Sequence, residues 1–168
     1  MLAYTLLIAA VAVERVAELV VSQRNLKWSR QHGGVEFGAR HYPVMVVLHT
    51  ALLVACLFEA AHRAFIPALG WPMLALVVAA QMLRWWCIIT LGHQWNTRVV
   101  VVPDASRISG GPYRFLPHPN YVAVVIEGIA LPLVHSAWIT ALVFTALNAA
   151  LLRTRISVEN RALETLHR

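Results

Sequence analysis

Two short segments hold most of the residues able to do chemistry. The first runs Ser109-Gly110-Gly111-Pro112-Tyr113-Arg114-Phe115-Leu116-Pro117-His118-Pro119-Asn120-Tyr121. Adjacent glycines allow a tight turn and let backbone come close to a ligand. Pro119 forces His118 into an extended conformation and then suits the first turn of a helix. His118 and Tyr121 are thereby held at a helix entrance, where aromatic rings and backbone amides suit an adenosine. The alternative is a proline-stiffened interfacial loop. The second segment is Arg155-Ile156-Ser157-Val158-Glu159-Asn160-Arg161-Ala162-Leu163, with Arg155 and Glu159 on one helix face at i,i+4. These two form either a surface ion pair worth about 0.3–0.5 kcal/mol or a binding pair. In the second case Arg155 takes a carboxylate or oxyanion, and Glu159 takes a cationic amino group or ribose hydroxyls.

Other chemistries lack their residues. The eight His are scattered without ligand spacing, so no metal site is expected. No G-x-G-x-x-G follows a strand, which excludes a Rossmann domain. No G-x-S-x-G elbow or Cys/His arrangement occurs. Cys56 and Cys87 sit in apolar runs and read as small core hydrophobes.

The elements that must position these segments are membrane spans. Hydrophobic residues make up 59% of the chain and charged residues 13%, against about a quarter in a soluble domain. The spacing predicts an all-α integral membrane domain, 1–168, of about five transmembrane helices, over about 2–21, 43–61, 71–90, 120–134 and 138–152. Ser22–Tyr42 reads as a loop or surface helix, the stretch 91–119 as a cytoplasmic loop, and 153–168 as a polar, helical cytoplasmic tail. Eleven cations fall on the side of these segments and only Arg63 on the other, so the N-terminus is expected outside and the C-terminus in the cytoplasm. The net charge of +6 thus serves a membrane surface and not a nucleic acid.

Ionisable groups inside a bilayer cost about 2.5–3.5 kcal/mol each and need a reason. Glu14, Arg15 and Glu18 of span one, Gln81 and Arg84 of span three, Glu127 of span four and Asn148 of span five fall at one level. They form either a structural network, for instance Arg84 with Glu14 or Glu127, or the polar floor of a cavity touching substrate.

Gly111-Pro112-Tyr113, His118-Pro119-Asn120-Tyr121 and Arg155…Glu159 occur here in the order Gly-x-Tyr, His-Pro-x-Tyr, Arg-x-x-x-Glu. In this the chain resembles the isoprenylcysteine carboxyl methyltransferase family of membrane enzymes; Leu91-Gly92 followed by Trp95 looks like that family's entry into the loop. The resemblance covers roughly 91–163. It implies S-adenosyl-L-methionine as cofactor, held between the loop, the start of span four and the tail. The cofactor-contact positions it implies are Ala105, Ser106, Arg107, Ile108, Tyr113, His118, Pro119, Asn120, Tyr121 and Glu159, with Arg155 at the substrate. Pro117 and Asn160 depart from the family pattern, replacing a basic residue before His-Pro and the second of two paired acids. The run His118–Glu127 looks closer to a bacterial branch that accompanies type III polyketide synthases and O-methylates alkylpyrones or phenolic lipids. A lipophilic hydroxyl in a bacterial inner membrane is therefore the expected methyl acceptor. A prenylcysteine carboxylate is the alternative, and a membrane reductase using a nicotinamide cofactor and a non-enzymatic scaffold or transporter are the rival classes. Methyl transfer to a hydroxyl would use Arg155 against the developing oxyanion and either Glu127 or His118 as proton acceptor.

Overall fold

A computed structural model describes residues 1–103, 105–106 and 108–166. Five helices carry the fold: α1 (Leu2–Gln31), α2 (His41–Ala60), α3 (Pro67–Leu91), α4 (Pro119–Leu133) and α5 (Trp138–Leu166). Two segments, His41–Ala60 and Pro67–Gln94, and a third, Trp138–Glu164, are long and apolar enough to cross a bilayer. α4 is apolar but has only 15 residues. α1 has 30 residues, but Glu14, Arg15 and Glu18 cluster inside it.

Two boundaries differ from the sequence reading. α1 does not stop near residue 21 but runs through Gln31, because nothing between Ser22 and Gln31 breaks a helix and Gly33-Gly34 is the first turn signal. Strands also form in the connections: β1 (Val35–Phe37) pairs antiparallel with β2 (Val99–Val101), with Glu36 opposite Val100. Three consecutive β-branched residues favour an extended β2, and the pairing ties the α1–α2 connection to the α3–α4 connection.

Proline and a borrowed carboxylate set the helix ends. Pro67 and Pro119 occupy first-turn positions of α3 and α4, where a missing N–H costs nothing. Between α4 and α5 the chain reverses through His135-Ser136-Ala137, with Ser136 at φ 58°. The opening amides of α5 are capped from α2: Glu59 accepts from the Ile139 N–H at 3.1 Å, the Thr140 N–H at 2.7 Å and the Thr140 hydroxyl at 2.8 Å. Glu59 is thus an interhelical cap.

The apolar core joins α1, α2, α3, α4 and α5 through Tyr4, Ile8, Leu52, Cys56, Val77, Leu131 and Phe144. Gly128 lets Phe144 pack directly on α4, since a Cβ there would collide with the Phe144 ring. One helical turn from this core toward the strands lies the charged layer. Arg84 Nε donates to Glu18 Oε1 at 2.6 Å, Arg15 Nη1 to Glu18 Oε2 at 2.9 Å, and Trp85 Nε1 to Glu14 Oε1 at 2.5 Å. Gln81 bridges Glu14 and Arg15. Glu127 completes the layer, 3.6 Å from Arg15 and 4.0 Å from Arg84. Arg84 therefore pairs with Glu18 and Glu127.

Candidate functional site

The loop after α3 is fixed from three sides. Asn25 of α1 donates to the carbonyls of Gly92 at 3.0 Å and Trp95 at 2.7 Å. Ser22 accepts from the Thr97 N–H at 3.0 Å, and Ser29 lies 3.4 Å from Asn96 Nδ2. Ser22, Asn25 and Ser29 fall on one helix face by their spacing and all are buried. On the second side Arg98 donates to Glu36 at 2.6 Å and covers the Tyr42 ring at 4.1 Å. On the third, Arg155 Nη2 donates to the Thr97 carbonyl at 2.8 Å.

Further along, a 3-10 turn at Gly111–Arg114 docks on α3. Gly111 sits at φ 54°, and a Cβ there would lie 2.5 Å from Thr90 Oγ1. Only glycine meets both demands cheaply. The turn seats Tyr113 beside Cys87, where burial first and the thiol second push the phenol above its usual range. Tyr113 is therefore a neutral wall at physiological pH.

Between this loop, the start of α4 and the far half of α5 lies a cavity of about 490 Å³, within the span usual for small-molecule sites. Ala105, Ile108, Tyr113, His118, Asn120, Tyr121, Arg155 and Glu159 all line it. Ser106 is exposed, its carbonyl accepting from Gln94 at 3.3 Å, and Pro119 is buried beneath the lining. Arg107 lies outside the described residues. Glu127 is not among the lining residues; it belongs to the charged layer with Arg15 and Arg84. The sequence reading did not select Ser29, Asn96, Arg98 or Val99–Val102, which also line the cavity. The valine run was a usable signal for a strand. Nothing local marked Ser29, whose place depends on α1 continuing to Gln31.

Arg155 and Glu159 do not pair with each other. Tyr121 Oη donates to Glu159 Oε2 at 2.5 Å, and His118 Nδ1 lies 3.7 Å from Glu159 Oε1 with its ring stacked on Tyr121 at 5.4 Å. Arg155 is only 5% exposed; its guanidinium meets the Thr97 carbonyl, the Met45 sulfur and the Tyr121 ring, and among the described residues it meets no carboxylate. The surface-pair alternative thus does not describe these residues. Among the described residues, four buried polar atoms of the lining have no partner: Trp95 Nε1, Asn96 Oδ1, Asn120 Oδ1 and Arg155 Nε. Buried polar groups are rarely left so, and this mix of donors, acceptors and one carboxylate fits a ligand carrying ammonium, carboxylate and hydroxyl groups.

Comparison with known proteins places the chain in a family. The model of the isoprenylcysteine carboxyl methyltransferase (ICMT) family matches residues 73–165, from within α3 to the end of α5. The chain belongs to that family, which suggests a membrane methyltransferase-like protein using S-adenosylmethionine. It is 35% identical over 162 residues to a protein of Bacillus subtilis (strain 168) described as uncharacterized protein YpbQ, with 96% of each chain covered. An uncharacterized protein of Haemophilus influenzae (strain ATCC 51907 / DSM 11121 / KW20 / Rd) is 26% identical over 168 residues, covering 99% of this chain and 98% of its own. No solved structure matches.

Proposed function

We propose that this protein is an integral membrane O-methyltransferase that moves a methyl group from S-adenosyl-L-methionine to a lipophilic acceptor, a polyketide-derived alkylpyrone or phenolic lipid hydroxyl. The observation that carries the reading is the Glu159 carboxylate, oriented by Tyr121 and His118 in the wall of a cavity shared with Ala105, Ile108, Tyr113 and Asn120. A fixed anion there favours a ligand with a cationic ammonium and sulfonium. It disfavours the phosphates of a nicotinamide dinucleotide, which would face like charge.

In this reading Glu159 and Asn120 hold the amino-acid and ribose ends of the cofactor. Tyr113 and the backbone of Ala105, Ser106 and Ile108 wall the purine. When bound, S-adenosylmethionine supplies an electrophilic methyl carbon on a sulfonium sulfur. The protein's own work is alignment, which contributes several kcal/mol through proximity (roughly 7–11 at best). Arg155, buried and with no carboxylate partner among the described residues, stabilises the acceptor oxyanion. Glu127 serves as a counter-charge to Arg15 and Arg84. All five helices cross the inner membrane of a bacterium, α1 by satisfying its charges internally and α4 with help from the turn ahead of it. The N-terminus then faces outward and the cofactor cavity inward. The acceptor enters from the bilayer.

The test is transfer of tritium from methyl-labelled S-adenosylmethionine to a long-chain alkylresorcinol in nanodiscs, with farnesylcysteine as the competing acceptor. Labelled resorcinol that disappears with Arg155→Ala supports the reading. Labelling of neither acceptor, with NADPH bound in place of S-adenosylhomocysteine, would move the protein to the reductase class.

A further inference from the structure

The acceptor's proton needs a destination, and the two groups expected from sequence are both engaged. His118 faces Glu159, and Glu127 is held by Arg15 and Arg84. A third group is His49 of α2, whose Nδ1 alone is engaged in a hydrogen bond among the described residues. It lies on the inward face of that helix, in register with Met45, Leu52 and Cys56. Its Nδ1 is 2.9 Å from the Met45 carbonyl. A carbonyl only accepts, so Nδ1 carries the proton and Nε2 keeps its lone pair. The ring is steadied by an edge contact with Phe144, centroids 5.3 Å apart at 87°.

The neighbours of His49 connect it to the site. Met45, one turn away on the same face, touches the Arg155 guanidinium through its sulfur, so a single methionine packs against the cation that would hold the acceptor oxygen and lies one helical turn from the imidazole. The charged groups facing it are Arg155 from α5, Arg15 from α1 and Glu127 from α4. For His49 to serve there, an acceptor hydroxyl seated on Arg155 must reach Nε2, directly or through one water.

Resting on the methyltransferase reading, we propose that His49 is the general base of the reaction and that the acceptor is a weakly acidic hydroxyl, not a carboxylate. A carboxylate arrives ionised and needs only Arg155; an unprotonated imidazole beside it is useful only if the acceptor brings a proton. The acceptor O–H proton passes to His49 Nε2. The oxygen lone pair forms the bond to the sulfonium methyl carbon as the carbon–sulfur bond breaks, and the sulfur keeps that electron pair as a neutral thioether. The imidazolium, balanced by Glu127, returns its proton to water.

The experiment compares wild type, His49→Gln and His49→Phe in nanodiscs, the second variant chosen because it keeps ring packing on Phe144. S-adenosylhomocysteine affinity reports the folded cofactor site, and labelled transfer to a long-chain alkylresorcinol reports turnover across pH. Unchanged affinity is expected, with turnover reduced about a hundredfold or more in both variants. The fall in wild-type rate at low pH, where Nε2 is already protonated, should vanish from the variants' profiles. A variant turning over at the wild-type rate, or keeping that acid limb, overturns the assignment while leaving the methyltransferase reading intact. Wild type that binds S-adenosylhomocysteine but labels only farnesylcysteine overturns the hydroxyl-acceptor inference. Wild type that neither binds nor transfers removes the functional reading and this inference with it.

Discussion

Replacing Arg84 with methionine should unfold the protein more readily without touching the cofactor cavity. Arg84 Nε sits 2.6 Å from Glu18, and Nη1 lies 4.0 Å from Glu127. The three side chains are 9%, 4% and 9% exposed, so solvent screens little. Removing Arg84 leaves Arg15 as the remaining guanidinium beside Glu14, Glu18 and Glu127. Breaking a buried pair from one side costs about 3–5 kcal/mol. Intramembrane polar interactions run weaker than that expectation, so about 3 kcal/mol is the working figure. At about 2–4 °C per kcal/mol for a chain of this size, the melting temperature should fall by about 6–12 °C. Thermal unfolding followed by tryptophan fluorescence in detergent, with S-adenosylhomocysteine affinity measured well below the transition, reads both quantities. Affinity should stay within about twofold, because Arg84 is absent from the cavity wall, and Arg84→Met with Glu18→Met should recover part of the loss. A melting temperature unchanged within about 2 °C, or lost affinity at an unchanged melting temperature, would refute a structural role and return the charged layer to the ligand site.

Three further outcomes follow. Gly111→Ala should lower S-adenosylhomocysteine affinity by about tenfold through its positive φ and its contact with Thr90, whereas Gly110→Ala, with nothing within 4 Å of its Cβ, should be neutral in the same titration. Tyr121→Phe removes the 2.5 Å bond that orients Glu159 and should weaken the same ligand by about tenfold, with the melting temperature nearly unchanged. Cysteines placed at Arg63 and Arg153, with Cys56 and Cys87 buried, should be labelled by an impermeant maleimide from opposite sides of sealed vesicles, the second only from the side of the cofactor cavity.

The helices and the cavity wall were legible in the sequence because each rested on a local signal. Apolar runs marked α2, α3 and α5, Pro119 marked the start of α4, and the family resemblance carried by Tyr113, His118, Tyr121 and Glu159 implied a shared site. Partnerships were less legible. Arg155 and Glu159 share a helix face, yet their choice of Thr97 and Tyr121 over each other depends on where β2 and α4 arrive in space. The charged residues were expected at one level, and Glu14, Arg15, Glu18, Gln81, Arg84 and Glu127 do meet, but the choice of Glu18 by Arg84 depends on how α1 and α3 meet. Asn25, Ser29 and Glu36 carried no signal at all, since their work depends on α1 running through to Gln31 and on a strand pair bridging distant connections. His49 looked like one of several scattered imidazoles until α2 placed it one turn from a contact of Arg155.

The central claim is that a carboxylate after the last span and a glycine-proline loop before the fourth build one pocket for S-adenosylmethionine. Isothermal titration of S-adenosylhomocysteine into the full chain in nanodiscs, beside Glu159→Ala and with NADPH as the comparison ligand, measures it directly. The expected result is saturable one-to-one binding to the wild type, a loss of at least about tenfold in the variant and no heat from NADPH. Wild type that takes up no S-adenosylhomocysteine, or a Glu159→Ala variant that binds it equally well, would contradict the account.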